Sequence, residues 1–231
     1  YHPSTGNASL TLECDEGMAG IYLMFDLEYG AYTITDHSTG VVFTAGEYGF
    51  LHEYIDLEAA FGPLPRAVTV DFSHGKVRLS EITVYSAGLL PDTVQLWAPP
   101  VEGGADLVLF STHGDDEHLF FAGVLPYYAG ELGYQVQVVY LTNHFNIAPF
   151  RIHEMLDGLW AVGVDTYPVF GRFPDQFCES KRDAYGYMAM EGITEEELVG
   201  FVVDNLRRFK PLVAVGHDLG GEYGHGQHML Y

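Results

Sequence analysis

Two short clusters in the sequence combine histidine with carboxylate side chains, the residue types that bind metal ions and move protons. The first cluster, THGDDE at residues 112–117, directly follows the apolar run at 106–111. The second cluster, GEYGHGQH at residues 221–228, comes shortly after another apolar run at 212–216. Two imidazoles and one carboxylate are a usual ligand set for catalytic zinc, which keeps a fourth position for water. Together the clusters indicate metal chemistry.

The spacing within each cluster is compatible with a shared ligand site. His113 leaves a predicted strand and Asp116 opens a predicted helix, so a tight turn at Gly114 would bring their side chains to one point. His225 and His228 are three residues apart, which places them on one face if the segment begins a helix.

The remaining acid, Asp115, would lie beside a water molecule bound at such a site. A simpler interpretation stays open, because paired acids after a strand also cap the following helix. A histidine at a strand end can equally be an ordinary loop residue. Two such clusters following two strands favour the metal centre over chance.

The second half of the chain alternates apolar runs with helical patterns. The predicted strands cover residues 106–111, 136–142, 167–170 and 212–216. The predicted helices cover about 117–130 and 151–162, and a further helix follows Thr194, which forms a capping box with Glu197. This alternation predicts a Rossmann-like α/β domain with a mainly parallel sheet. Ligands bind beyond the carboxyl ends of such strands, where both clusters lie.

The first half shows short segments rich in aromatic and β-branched residues, without a convincing helical period. Its predicted strands cover residues 10–13, 21–27, 32–35, 41–44, 67–72 and 81–85. This density of strands predicts an all-β sandwich of jelly-roll type. The linker-like segment 97–104 separates the halves, so we expect a β-sandwich over 1–100, with carbohydrate as its candidate ligand, and the α/β domain over 105–231.

The composition narrows the classes of partner. The 231 residues contain 32 acidic against 10 basic side chains, a formal charge of −22. This charge argues against nucleic acid and anionic membranes as partners. No apolar run approaches the roughly 18 to 20 residues of a transmembrane helix. High Gly, Tyr and Phe content with few Lys is common in exported sugar-handling proteins, so we expect an extracellular or cell-surface location.

The two clusters resemble the signatures of the PIG-L/LmbE-like family of zinc-dependent N-deacetylases. Residues 112–117 are similar to its AHPDDE-type signature and residues 221–228 to its HxxH signature. Arg151 and Glu154 are similar to the family's RxxE pattern, and the resemblance covers residues 106–231.

The resemblance implies a specific set of roles. It implies one Zn²⁺ per chain held by His113, Asp116 and His228, with Asp115 as general base. His225 matches the histidine that stabilises the oxyanion or protonates the leaving amine. The implied reaction is removal of an N-acetyl group from an N-acetylglucosamine-type sugar or glycoconjugate, so the expected partner is a small molecule or glycan.

Further residues at the same edge of the sheet are candidates for substrate contact. Asn143 and His144 follow the second predicted strand of the sheet, and Tyr223 precedes the HxxH histidines. We expect these three to contact substrate. Arg151 is expected to form an ion pair with Glu154 within its helix.

The sequence departs from the family pattern at three positions. Gly114 and Gly226 replace the usual prolines, and Gln227 stands where the family often has an aspartate beside the catalytic histidine. A neutral amide cannot raise the basicity of His225 as a carboxylate would. These departures keep a second hypothesis open, a glycan-binding protein with an inactive deacetylase-like domain. A third hypothesis keeps the zinc site but changes the bond, to another amide or an ester.

The position of the second cluster affects the expected extent of the domain. His228 lies three residues before the last residue of the chain. One turn of helix is too short to be stable alone. We therefore expect the α/β domain to be truncated at its C-terminus.

Overall fold

A computed structural model describes residues 8–73, 75–144 and 148–230. The chain divides into two compact units, Tyr1–Trp97 and Ala98–Tyr231. The first unit has antiparallel sheets and the second a parallel sheet with helices. Within the described ranges, none of the helices has the length and apolar character that crossing a membrane requires.

The first unit consists mainly of β-strands. Its described strands are β1 (Ala8–Glu13), β2 (Gly20–Phe25), β3 (Tyr32–Asp36), β4 (Val42–Ala45), β5 (His52–Asp56), β6 (Ala67–Phe72) and β7 (Leu79–Tyr85). They form two antiparallel sheets, with strand orders β1-β6-β3-β4 and β5-β2-β7. Buried residues alternate with more exposed ones along β3 and β6, as expected for strands with one face on a core.

Aromatic side chains from both sheets of this unit meet in its core. The Phe25 ring of β2 lies 6.2 Å from the Phe72 ring of β6 and 5.9 Å from the Tyr32 ring of β3, measured between centroids. All three side chains are buried. Offset and edge-on ring contacts of this kind add to the free energy gained by burial.

Two elements of the first unit are absent from the sequence-based prediction. Strand β5 has the sequence HEYID, which lacks a clear apolar alternation. Helix α1 (Leu57–Phe61) follows it and is only five residues long, too short to show a helical period. Its start is fixed by Asp56, whose side chain accepts a hydrogen bond from the Ala59 N–H at 2.8 Å.

The second unit is built around a parallel sheet with strand order β10-β9-β8-β11. The strands are β8 (Leu107–Ser111), β9 (Val136–Thr142), β10 (Val169–Phe173) and β11 (Val213–Val215). Every residue of β8 and β9 is buried, because strands at the centre of a parallel sheet are covered on both faces. The predicted parallel sheet is confirmed.

Helices connect these strands. They are α2 (Asp116–Leu119), α3 (Pro149–Ala161), α4 (Lys181–Met190) and α5 (Glu195–Phe209), with a π-helical turn at Pro126–Glu131 and 3₁₀ turns at Glu222–Gly224 and Gly226–Leu230. The predicted capping box of α5 is confirmed: Thr194 Oγ1 accepts from the Glu197 N–H at 3.2 Å, and Glu197 Oε2 accepts from the Thr194 N–H at 2.9 Å.

The continuous helix predicted over about 117–130 is wrong. Helix α2 ends at Leu119, and the next regular helical segment is the turn at Pro126–Glu131. Proline has no N–H and its ring clashes with the carbonyl four residues earlier, so it is tolerated only in the first turn of a helix. Pro126 occupies such a position in the second segment, which explains why the two segments are separate.

Candidate metal and hydrolytic site

The four parallel strands end at one edge of the sheet, and each is followed by a candidate site residue. His113 follows β8, His144 follows β9, Asp175 follows β10 and His217 follows β11. The strand order reverses between β8 and β11, since the chain runs outward from β8 through β9 to β10 and returns to the other side of β8. Such a switch point is the usual ligand site of an open parallel sheet.

Three side-chain atoms converge at this switch point. His113 Nδ1 lies 3.0 Å from His228 Nε2 and 3.2 Å from Asp116 Oδ2, and Asp116 Oδ2 lies 3.3 Å from His228 Nε2. All three residues are buried. A tetrahedral site with bonds of about 2.0–2.1 Å places its ligand atoms about 3.3 Å apart. The structure thus brings together the residues that the family resemblance implies as zinc ligands.

The protonation of His113 follows from its neighbour Gln227. Gln227 Oε1 accepts from the backbone N–H of Gln176 at 3.0 Å, and Gln227 Nε2 donates to the Pro174 carbonyl at 2.7 Å. These two partners fix which amide atom is oxygen. His113 Nε2, 2.8 Å from that oxygen, must therefore carry a proton, which leaves the lone pair of a neutral His113 on Nδ1.

Glu222 is the carboxylate beside His228. Glu222 Oε2 lies 3.0 Å from His228 Nδ1 without forming a hydrogen bond with it, and its negative charge favours a proton on that nitrogen. The lone pair of a neutral His228 is then on Nε2, the atom that faces Asp116. A carboxylate behind a metal-ligating histidine is a common arrangement, because it fixes the ring and raises its basicity.

With both imidazoles neutral, the three convergent atoms are all acceptors. Burial by itself would raise the pKa of Asp116, but hydrogen bonds donated by protonated His113, His217 and His228 imidazoles outweigh burial and hold that pKa far below its ordinary value. An ionised carboxylate facing two imidazole lone pairs needs a cation between them, either a proton or a metal ion. The donor set of two nitrogens and one carboxylate oxygen suits zinc.

His217 lies beside this trio. Its Nε2 is 3.3 Å from Asp116 Oδ2, and its ring stacks on His228 with centroids 4.3 Å apart. The Thr112 N–H donates to His217 Nε2 at 3.3 Å, and His217 Nδ1 is bonded to Glu222. Both ring nitrogens thus have a protein partner, and His217 stabilises the arrangement of Asp116 and His228.

His225 completes a ring of imidazoles around the same point. Its ring centroid lies 4.9 Å from that of His113 and 4.6 Å from that of His228. The Gln227 N–H donates to His225 Nδ1 at 3.2 Å, so the proton of the neutral His225 ring is on Nε2. Burial and the neighbouring His113 and His228 lower the pKa of His225 to about 4.

Asp115 does not act as a side-chain helix cap. It occupies the N-cap position of α2, but its side chain makes no capping hydrogen bond. Asp115 Oδ2 instead accepts from Arg151 at 2.9 Å, and Arg151 also donates to Glu154 at 3.0 Å. The expected Arg151–Glu154 pair is confirmed, and the pairing with Asp115 is an addition that spacing within one helix could not indicate.

These side chains surround a cavity of about 280 Å³. The described residues that line it are His113, Gly114, Asp115, Asp116, Leu119, Phe120, His144, Arg151, Asp175, Phe177, Tyr223 and His225. Of the residues predicted to contact substrate, His144 and Tyr223 are among them, whereas Asn143 is not.

Asp175 and Phe177 are among the lining residues that sequence reasoning missed, as are Leu119 and Phe120. Asp175 and Phe177 follow β10, whose predicted end at Phe170 is three residues too early. The register of β10 against β9 shifts between Phe170 and Phe173, and a Cβ on Gly171 would lie 2.0 Å from the Leu141 carbonyl oxygen. An irregular strand with a glycine in its middle does not show the apolar pattern that marks a strand end.

Comparison with known proteins agrees with the position of this site. The model of the family PIG-L, described as GlcNAc-PI de-N-acetylase, matches residues 108–231, more than half of the chain. No curated protein matches the chain significantly. Among solved structures, the flavohem-like FAD/NAD binding domain of nitric oxide dioxygenase from Vibrio cholerae O1 biovar El Tor is 9% identical, over 75% of this chain and 70% of that chain. Its TM-score of 0.20 is too low to indicate a common fold.

The matched region begins in β8 and contains both clusters at the switch point of the sheet. Members of the matched family are in general deacetylases, and two buried groups of this chain could each hold a metal ion, His113 with His225 and His228, and Asp116 with His217 and His228. The chain belongs to the PIG-L family.

Proposed function

We propose that this chain is a zinc-dependent hydrolase that removes the N-acetyl group from an N-acetylglucosamine-type sugar or glycoconjugate. The observation that carries the proposal is the convergence of three buried acceptor atoms, from His113, Asp116 and His228, within 3.0–3.3 Å of one another. When bound there, a zinc ion would supply a Lewis acid and lower the pKa of a coordinated water to about 7.

Asp115 is the candidate general base. Its carboxylate lines the cavity next to Asp116, and Arg151 holds one of its oxygens. The guanidinium fixes the orientation of the carboxylate and leaves the second oxygen available to accept a proton from water. Proton transfer to a positioned carboxylate contributes about 10²–10⁴-fold to the rate.

His225 is the candidate group for charge stabilisation. Because its Nδ1 accepts the Gln227 N–H, the neutral ring offers an Nε2–H as a hydrogen-bond donor. This favours stabilisation of the oxyanion that forms on the acetyl carbonyl, and the proton that Asp115 takes from water is then the one that the leaving amine receives.

The charges in the cavity favour a neutral sugar as substrate. Arg151 is the cation among the described lining residues, and both Asp115 and Glu154 already engage it. Asp115, Asp116 and Asp175 would repel a phosphate group. We expect His144 and Tyr223 to contact the sugar directly, and Asn143 to contribute only where a substrate extends beyond the cavity.

For the first unit we propose a jelly-roll-like sandwich that binds glycan, in a protein that acts outside the cell or at its surface. The aromatic contacts between β2 of one sheet and β3 and β6 of the other support face-to-face packing of the two sheets. A glycan array with the full chain tests the binding, since loss of signal after Asp116→Asn, which removes a proposed metal ligand, would assign it to the second unit instead.

The test of the activity is acetate release from neutral N-acetylated sugars and their phosphorylated forms, with and without chelator. We expect about one zinc per chain and chelator-sensitive release from the neutral sugars.

Asp115→Asn should retain zinc and lose turnover by about 10²-fold or more. Glu154→Gln is the matched control, because it removes a carboxylate from the other side of Arg151 without touching the base. Release from esters alone would favour the ester hypothesis, and glycan binding without any release would favour the inactive one.

A further inference from the structure

Gln227 is fully buried and each of its side-chain polar atoms has a partner. Its Oε1 accepts from His113 Nε2 at 2.8 Å and from the Gln176 N–H at 3.0 Å, and its Nε2 donates to the Pro174 carbonyl at 2.7 Å. In the family pattern the residue at this position is often an aspartate beside the catalytic histidine, and an amide there cannot raise the basicity of His225. The structure places only its backbone N–H there, while its side chain contacts His113.

Gly226, the residue before Gln227, also contacts the chain segment that contains Pro174 and Gln176. The Gly226 N–H donates to the Cys178 carbonyl at 2.7 Å, a bond that proline could not make. A Cβ at Gly226 would lie 2.1 Å from the Ser180 carbonyl oxygen, so the two backbones approach as closely as glycine permits. Gly226 and Gln227 together therefore dock residues 174–180, which we call the wall segment.

The wall segment contributes one side of the cavity. Asp175 and Phe177 both line it, and Asp175 Oδ1 lies 3.6 Å from His113 Nε2. The Phe177 ring stands edge-on to His225 with centroids 5.1 Å apart. A displacement of the wall segment would thus be transmitted to both histidines.

We propose that Gln227 is a positioning residue that ties His113 to the wall segment. The proposal rests on the metal site proposed above. An amide is suited to this position because it accepts from His113 and Gln176 and also donates to Pro174. A carboxylate would place an oxygen against the Pro174 carbonyl, and a shorter side chain would not span the three partners.

Two substitutions of Gln227 test its hydrogen bond to His113 separately from its hydrogen bonds to the wall segment. Gln227→Met keeps the length of the side chain and loses all three hydrogen bonds, so we expect zinc affinity to fall by about 10- to 100-fold, the usual cost of losing a partner behind a metal ligand. Gln227→Glu keeps the acceptor for His113 but opposes the Pro174 carbonyl. We expect zinc affinity within a few-fold of the unmodified protein, with faster amide hydrogen exchange in the wall segment.

The experiment measures zinc affinity by chelator competition, the visible spectrum of the Co²⁺ form, and hydrogen exchange at residues 174–180 in the full chain. Glu179→Gln, an exposed change in the same segment, is the control and should alter none of them. Unchanged zinc affinity and unchanged exchange in Gln227→Met would overturn the proposal. If the unmodified protein binds no zinc, the proposed function fails, and exchange in the metal-free variants still decides whether Gln227 holds the wall segment.

Discussion

Each unit holds a carboxylate among polar partners, half-buried in the first unit and buried in the second, and the partners differ in kind. In the first unit, Glu53 Oε2 accepts from the Tyr32 hydroxyl at 2.7 Å and Glu53 Oε1 accepts from the Gly46 N–H at 2.9 Å. In the second unit, Asp116 Oδ2 accepts from the His113 N–H at 2.8 Å but also faces imidazole lone pairs of His113 and His228.

The two sites differ in the balance between hydrogen-bond donors and acceptors. Glu53 has a donor for each oxygen, so its site is complete without any ligand and serves the stability of the fold. The acceptors around Asp116 outnumber the available donors, so that site is complete only with a cation. Buried polar groups are almost always satisfied, and a cluster of acceptors is therefore a more specific sign of function than buried polarity alone.

The largest expected effect comes from removing the charge at the centre of the second site. Asp116→Asn replaces the anionic ligand with a neutral amide, so zinc affinity should fall by more than the roughly 10- to 100-fold cost of losing an outer partner. Zinc content after dialysis, measured by atomic emission, checks this.

Asp115→Asn is the matched control for that substitution, since it neutralises the adjacent carboxylate without removing a ligand atom. It should retain about one zinc per chain. Equal zinc content in the two variants would contradict the assignment of Asp116, and not Asp115, as the metal ligand.

A smaller effect is expected from the carboxylate behind His228. Glu222→Gln keeps the shape of the side chain but weakens the acceptor for His217 Nδ1–H and removes the negative charge 3.0 Å from His228 Nδ1, so zinc affinity should fall by about 10-fold and by no more than about 100-fold. Asp218→Asn, an exposed change four residues earlier, should leave affinity unchanged. A Glu222→Gln protein that binds zinc as tightly as the unmodified one would show that His228 is oriented by packing alone.

The sequence predicted the central elements of the second unit better than its periphery. Strand β9 has the predicted bounds, Val136–Thr142, because a strand buried on both faces reads as an unbroken apolar run. Helix α4 was missed, since it buries only Ala184 and Met188 and contains a glycine. The spacing of Ser180 and Asp183 at its start is a capping signal that could have revealed it.

In the candidate site, too, the central residues were predicted and the surrounding ones were not. His113, Asp116 and His228 are close together in the structure as their motifs imply, because the motifs follow neighbouring parallel strands. The partners behind them could not be predicted in the same way. Gln227 contacts Pro174, 53 positions away along the chain, and that contact depends on the path of a segment with no regular pattern.

The smallest expected effect tests the first unit. Tyr32→Phe removes the donor to Glu53 Oε2 and leaves a half-buried acceptor unpaired, which should lower the free energy of opening of β3 and β6 by about 0.5–1.5 kcal/mol. Hydrogen exchange of the amides in these strands measures that free energy. Tyr48→Phe, at a tyrosine that is 57% exposed, is the control and should cost less than about 0.5 kcal/mol.

The zinc content of Tyr32→Phe should also be measured, because it shows whether the Glu53 site affects metal binding. The Glu53 site is complete with protein donors, so its disruption should change stability and leave metal binding in the second unit untouched. The reverse holds for the second site, where Asp116→Asn should change metal binding first. If Tyr32→Phe lowered zinc affinity, the two carboxylates would be energetically coupled, and the assignment of one to the fold and the other to function would have to be abandoned.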